Sequence, residues 1–485
     1  MGKVAGIDSS AAGTTVVVCD TDTGEVLRQG YAPHPVEGEA ATSGKATESD
    51  PQTWLLSLGE AAKDGLLEGV LAIGISGQQQ GLLALDAGGV LVRPAVLRGD
   101  KRAQAQAADL TAELGGPAEW AQSVQSVPQA AYPVAKLRWL AQHEPAAAQR
   151  TAEVLLPHDW LVWQLLGRPQ RRTTDRGDAS GTGYWSAAAG EYRHDLVELA
   201  LGHRVALPHV LGPAEPAGQT PEGLLISAGT GDTMAAALGL GVGPGDAVVS
   251  LGASSTVFAV HGEPLTDPSG TITSFADATG RHLPLLKTRN AVRVLRATAE
   301  LLGTDLAGLS DLALSSSPGA YGLVLLPYLE GESTPSLPHS AGTLTGLRRE
   351  SMKPEHLARA AFEGMLCGLA DALDVLRGRG VAVRRIFLLG AAAELPAVRV
   401  IAPPLFEAQV VVPEPGAYAA VGAARQAAWS LGRVLGSGSA QEPPAWRGGA
   451  HQVLEPGDDL ATGQAVRRQY TTVREQTHPG AFAEV

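Results

Sequence analysis

Several turns in this 485-residue sequence put a carboxylate or a run of small residues where an apolar strand ends. Backbone N–H groups point outward at such places and can meet phosphate oxygens. In Gly6-Ile7-Asp8-Ser9-Ser10-Ala11-Ala12-Gly13-Thr14, Asp8 stands at the mouth of a hairpin beside a Gly/Ser turn. A carboxylate so placed suits a water-bridged Mg²⁺ next to a polyphosphate, though an ordinary hairpin turn has the same residues. In Gly229-Thr230-Gly231-Asp232-Thr233-Met234, Asp232 lies between a tight Gly turn and an Ala-rich helix start. It could cap that helix, or it could accept a hydroxyl proton during phosphoryl transfer. Gly77-Gln78-Gln79-Gln80-Gly81 opens a strand end into three amides. Amides offer donors and acceptors together, which suits a polyhydroxylated ligand, and solvated loop glutamines would look the same. Leu389-Gly390-Ala391-Ala392-Ala393 follows a buried strand and is a candidate ligand-binding βα junction.

The elements that must hold these turns follow from periodicity. Lys3–Asp8 and Thr14–Asp20 predict two strands of a hairpin meander, continued after the Asp22-Thr23-Gly24 turn. A helix is expected near 51–68 and a buried strand from Val70 to Ile75. A second strand–turn–strand unit, Gly245–Gly252 then Thr256–Val260, hints at two related domains. Leu366, Leu369, Leu373 and Leu376 share one face of a helix over 355–377, and Arg385–Leu389 is the next strand. The chain reads as α/β, with a tail from about Pro443 that carries no motif.

Composition narrows the class. A net charge of −13 is a poor match to nucleic acid or an anionic membrane surface. Two cysteines exclude a disulfide scaffold, and both sit in apolar surroundings as small buried hydrophobes. Neither a signal-peptide core nor a membrane-length apolar run is present, so a cytoplasmic protein is expected. Glycine is in excess at 59 residues, which calls for turns and close backbone approaches.

In order along the chain, these blocks resemble the FGGY carbohydrate kinases, with the xylulokinases most similar. Further stretches carry the likeness: Arg93-Pro94-Ala95-Val96-Leu97, Leu156-Pro157-His158-Asp159-Trp160, Thr173–Gly183, and Leu326-Pro327-Tyr328-Leu329-Glu330-Gly331-Glu332. The resemblance runs from about residue 3 to 430. It implies two actin-like, ribonuclease-H-like domains with an interdomain cleft: a sugar side over 1–230, a nucleotide side over 231–440, and a C-terminal tail over 441–485. It also implies transfer of the γ-phosphoryl group of ATP, with Mg²⁺, to a ketopentose or polyol, D-xylulose above all. A homodimer is the family's common assembly. Carried over, Asp232 is the general base and Asp8 acts near metal and phosphates. Gln79, Gln80, Asp100 and Thr233 fall at sugar-contacting positions. Gly13, Gly252, Ala253 and Ser254 match phosphate-facing turns, and Gly390 and Ala391 match the Gly-Gly against adenosine.

The departures from the family pattern cluster at these sites. Gly-Asp-Asn is here Gly231-Asp232-Thr233, and Leu-Trp-Asn-Asp is Leu97-Arg98-Gly99-Asp100. Gly-Thr-Ser-Gly is Gly252-Ala253-Ser254-Ser255, and Gly-Gly-Gly-Ala-Arg is Gly390-Ala391-Ala392-Ala393-Glu394. Each lost donor to a charged phosphate costs about 1.5–3 kcal/mol, so a catalytically impaired relative that binds sugar or a partner is the alternative.

Overall fold

β-branched runs flanked by Gly turns build the first sheet, as the pleated surface favours. Strands β1 (Lys3–Ser9), β2 (Gly13–Asp20) and β3 (Val26–Pro33) form an antiparallel meander. The computed structural model describes residues 2–35, 47–436, 441–446, 448–449 and 451–482. It divides into two units, the first comprising Met1–Val242, Ser274–Leu283 and Gly416–Gly448. The second comprises Gly243–Thr273, Pro284–Pro415 and Gly449–Val485.

In the first unit, helix α1 (Gln52–Ala61) ends before the expected 68. Asp64, Gly65 and Gly69 take positive φ there, which breaks the helical hydrogen-bond ladder. Strand β4 (Ala72–Gly77) is buried at every residue and runs parallel to β1, as expected of a strand covered on both faces. The short β5 (Ala95–Val96), helices α2 (Pro133–His143) and α3 (Pro157–Leu165), strand β6 (Thr173–Asp175) and helix α4 (Arg176–Ser180) follow. Strands β7 (Pro216–Gln219) and β8 (Leu225–Ser227) complete the sheet order β7-β8-β4-β1-β2-β3, with β9 (Thr230–Gly231) also pairing β4. Helix α5 (Asp232–Leu240) leaves directly from β9, so the expected boundary at 230/231 falls inside that strand.

The glycine excess has a structural use here. The Ala-rich helix Tyr418–Leu435 lies on β1 and β4 at Gly6 and Gly74, where an added Cβ would stand 1.8 Å from the Ala420 carbonyl oxygen and 1.9 Å from that of Ala423. Only residues without a Cβ let the backbones approach that closely.

The second unit repeats the arrangement. Strands β10 (Gly245–Leu251), β11 (Ser255–Ala259) and β12 (His282–Thr288) make an antiparallel meander. Helix α6 (Val292–Leu301) and the 25-residue α7 (Pro354–Gly378) follow, the latter with Leu366, Leu369, Leu373 and Leu376 in the core as its periodicity predicts. Strand β13 (Val383–Leu389) runs parallel to β10, helix α8 is Pro396–Phe406, and β14 (Gln409–Pro413) runs parallel to β13. The tail, which carries no motif in sequence, supplies strand β15 (His451–Leu454) on β14 and helix α9 (Leu460–Thr477). Val466 and Tyr470 of α9 are part of the second unit's core. The expected boundary at 440/441 adjoins residues 437–440, outside the described residues.

Candidate active site

Parallel pairing of β1 with β4 sets Asp8 opposite Ser76 and Ser9 opposite Gly77 at the C-terminal ends of both strands. Open α/β sheets collect ligands outside that edge. Ser76 Oγ donates to Asp8 Oδ1 at 2.9 Å. Strand β9 extends the same edge, with Thr230 beside Ser76 and Gly231 beside Gly77, so α5 starts there with Asp232 as its first residue. Burial, reinforced by the charge of Asp232, pushes the Asp8 carboxyl up to about 6. Two carboxylates separated by most of a domain in sequence thus feel each other.

Asp232 is not the helix cap. Gly231 holds that position in an extended conformation without a side chain. Asp232 Oδ1 accepts from the N–H and Oγ1 of Thr233, at 2.7 and 3.2 Å, and stands 3.8 Å from Arg98 Nη1. Its side chain is 31% exposed, so a ligand can reach it.

The glutamines are buried rather than solvated. Gln79 Nε2 donates to Met234 Sδ at 3.2 Å, and its side chain lies on Gly231, where a Cβ would meet Gln79 Cγ at 2.5 Å. Gln80 adopts a left-handed φ of +63°, and its buried Oε1 has no hydrogen-bond partner among the described residues. A buried amide oxygen left free is open to a ligand or a water. Asp100 is also buried, but both its oxygens are engaged by Arg102, whose Nε lies 2.9 Å from each. Burial would raise its pKa, and the Arg102 contacts outweigh that and hold it below the usual range.

Behind this edge lies a buried charged layer. Asp175 caps α4, and its Oδ2 also accepts from Thr230 Oγ1 at 2.7 Å, tying α4 to the strand that delivers Asp232. His158, in the first turn of α3, is bonded through Nδ1 to Asp178 Oδ2 at 2.6 Å, with Asp159 Oδ1 3.2 Å from Nε2. Burial opposes charge on His158, and Asp159 and Asp178 outweigh it, raising the imidazole to about 9.

In the second unit, Gly252, Ala253 and Ser254 form the exposed turn between β10 and β11. The Val292 N–H donates to the Gly252 carbonyl at 3.0 Å and Arg293 Nε to the Ala253 carbonyl at 3.3 Å. Gly390, at φ +96°, ends β13, and a Cβ there would meet the Leu251 carbonyl oxygen at 2.5 Å, so glycine is required. Ala391 next to it is exposed. Gly13 is glycine for a similar steric reason: a Cβ would collide with the Ala32 carbonyl oxygen at 2.5 Å and with the Tyr31 ring.

Residues 3–239 match the N-terminal domain, and residues 247–431 the C-terminal domain, of the FGGY family of carbohydrate kinases. The chain belongs to that family. It is 40% identical over 463 residues to a xylulose kinase of Streptomyces coelicolor, covering 93% of this chain and 92% of the relative. A xylulose kinase of Streptomyces rubiginosus is 41% identical over 472 residues, with 93% and 92% covered. The crystal structure of xylulose kinase from Bifidobacterium adolescentis superposes with a TM-score of 0.89 at 36% identity, covering 98% of this chain and 99% of that one.

Family members use ATP and a divalent metal. The donor set at the first unit's strand edge fits a cation: burial, and after it the charge of Asp232, raises the Asp8 carboxyl toward neutrality, and a positive ion bound there would favour its charged form. Two groups at this carbohydrate-kinase edge escaped the sequence reading. Lys136 of α2 is buried and donates to the carbonyls of Gln80, Val96 and Leu97 at 2.6, 3.2 and 3.0 Å. A signal existed, because Lys136 falls on the helix face made by Pro133, Leu137 and Leu140. Arg98 stands out only as a departure from the family pattern. No described helix is long and apolar enough to cross a membrane.

Proposed function

We propose that the protein phosphorylates D-xylulose with ATP to give D-xylulose 5-phosphate. The observation that carries this reading is the convergence of Asp8 and Asp232 at one strand edge, in a chain 40% identical to a xylulose kinase. Asp232 is the general base: half-exposed and fixed by Thr233, it takes the proton of the reacting hydroxyl as that oxygen attacks the γ-phosphorus. The bond from that phosphorus to the bridging oxygen breaks, and ADP leaves with the electron pair. A positioned base contributes ~10²–10⁴-fold. Asp8, with Asp232 beside it, would hold Mg²⁺ through water. The ion, when bound, supplies charge to the phosphate oxygens.

The sugar lies against Gln79, Gln80, Thr233 and Asp100, with Asp100 kept in place by Arg102. The Gly252-Ala253-Ser254 turn and the turn that ends on Gly13 meet the phosphates, and Gly390 and Ala391 face adenosine. The sugar side belongs to the N-terminal part of the chain, the nucleotide side to the C-terminal part, and the protein works in the cytoplasm as a homodimer.

Coupled ADP release over a panel of ketoses and polyols tests the reading. D-xylulose is expected to give the highest kcat/KM, and D232A to lower kcat by ~10²–10⁴-fold while D-xylulose still binds. Wild-type turnover by D232A would refute the assignment of the base.

A further inference from the structure

We propose that Arg98 is a substrate-binding residue whose guanidinium grips the sugar oxygen next to the hydroxyl that Asp232 deprotonates. The inference rests on the sugar-kinase reading and deepens it. Arg98 follows β5 on a stretch fastened on both sides. Before it, Lys136 Nζ holds the carbonyls of Val96 and Leu97. After it, Asp100 is locked by Arg102, whose backbone N–H donates to Oδ1 at 2.8 Å and whose Nη2 reaches Oδ2 at 2.8 Å. The same ammonium also holds the Gln80 carbonyl, so the amide turn and the Arg98 stretch hang from one buried charge.

Between these fastenings the Arg98 side chain projects outward, 37% exposed, with Nη1 3.8 Å from Asp232 Oδ1. That separation is too long for a hydrogen bond, and an exposed pair at that range adds little to stability. The fork has five N–H donors and spends none of them well on Asp232. A polyhydroxylated substrate whose hydroxyl reaches Asp232 brings the oxygen on its adjacent carbon within a few ångströms of the reacting oxygen. A guanidinium donates to one or two such oxygens in a fixed fork, which a tryptophan or a leucine at this position cannot do. The recognised chemistry is therefore a vicinal diol, with the reacting hydroxyl on Asp232 and its neighbour on Arg98.

The test compares wild type, R98L and R98K with D-xylulose and its 4-deoxy analogue, following ADP release at several pH values. R98L is expected to lose ~10- to 100-fold in kcat/KM for D-xylulose, chiefly through KM, with KM for ATP within about twofold of wild type. The 4-deoxy analogue is expected to be turned over about equally well by wild type and R98L, and R98K to fall between them on D-xylulose. An unchanged KM for D-xylulose in R98L overturns the proposal. So does an equal loss on the deoxy analogue, or a shifted pH profile with no change in KM, since either result makes Arg98 only an electrostatic neighbour of Asp232. If no sugar supports ADP release by the wild type, the functional reading fails separately. Calorimetry with D-xylulose then decides Arg98: weaker binding to R98L than to wild type supports it, and equal or absent binding overturns it.

Discussion

Replacing Asp8 by Asn should make the protein more stable and at the same time less active. The Asp8 carboxyl moves from its ordinary 3.8 to about 6, through burial first and the charge of Asp232 second. A shift of roughly 2 units at ~1.4 kcal/mol each gives a penalty of up to ~3 kcal/mol. Its sign follows from which form the fold prefers. The folded state favours the neutral acid, so the penalty is absent below about pH 4, grows as pH rises toward 6, and is complete above that. Asparagine has the same shape, keeps an oxygen for the Ser76 hydroxyl, and has no charge to bury. D8N should therefore melt several degrees above wild type at pH 8 without added metal, and at nearly the same temperature at pH 4. Thermal unfolding by circular dichroism at both pH values measures this, and ADP release with D-xylulose reports the accompanying loss of turnover. Equal melting temperatures at pH 8, or an equal gain at both pH values, would refute burial and Asp232 as the causes. Carboxylates kept at a cost in stability are what a functional site needs.

Other expectations concern the same edge and the contacts that build it. Millimolar Mg²⁺ should raise the melting temperature of wild type at pH 8, and chelation reverse it, whereas D8N should respond less, as differential scanning fluorimetry will show. K136M leaves the Gln80 carbonyl without its donor, at ~1–3 kcal/mol, while the carbonyls of Val96 and Leu97 keep the N–H groups of Leu82 and Asp100, so a lower melting temperature and a higher KM for D-xylulose are expected. G6A places a methyl 1.8 Å from the Ala420 carbonyl oxygen, and soluble yield and melting temperature should fall by the equivalent of at least ~3 kcal/mol.

Legibility in sequence varied with how local each feature is. The leucine face of α7 and the β-branched run of β2 were readable because their signal lies within a few residues, and both formed as expected. The strand predicted at 70–75 lies at 72–77, a small displacement typical of apolar runs without a sharp stop. The end of α1 is not legible in the sequence, because the positive φ at Asp64 is not written in its residue type. The glutamines looked like either ligand contacts or solvated loop residues. Packing of Gln79 on Gly231 and Met234 buries them, and no local pattern reveals that. Lys136 reads as a surface lysine unless its place on the apolar face is weighed.

The order and chemistry of the turns, and with them the likeness to carbohydrate kinases, were determined by the sequence alone, because a turn needs only its own few residues. Which turns meet was decided by the tertiary structure. Parallel pairing of β1 and β4, extended by the two-residue β9, brings Asp8 and Asp232 to one edge and raises the Asp8 pKa. The folded chain also set Asp100 on Arg102, gave Lys136 three carbonyls, and left Arg98 facing Asp232. Charge, burial and hydrogen-bond partners belong to residues adjacent in space, and only folding makes these residues adjacent.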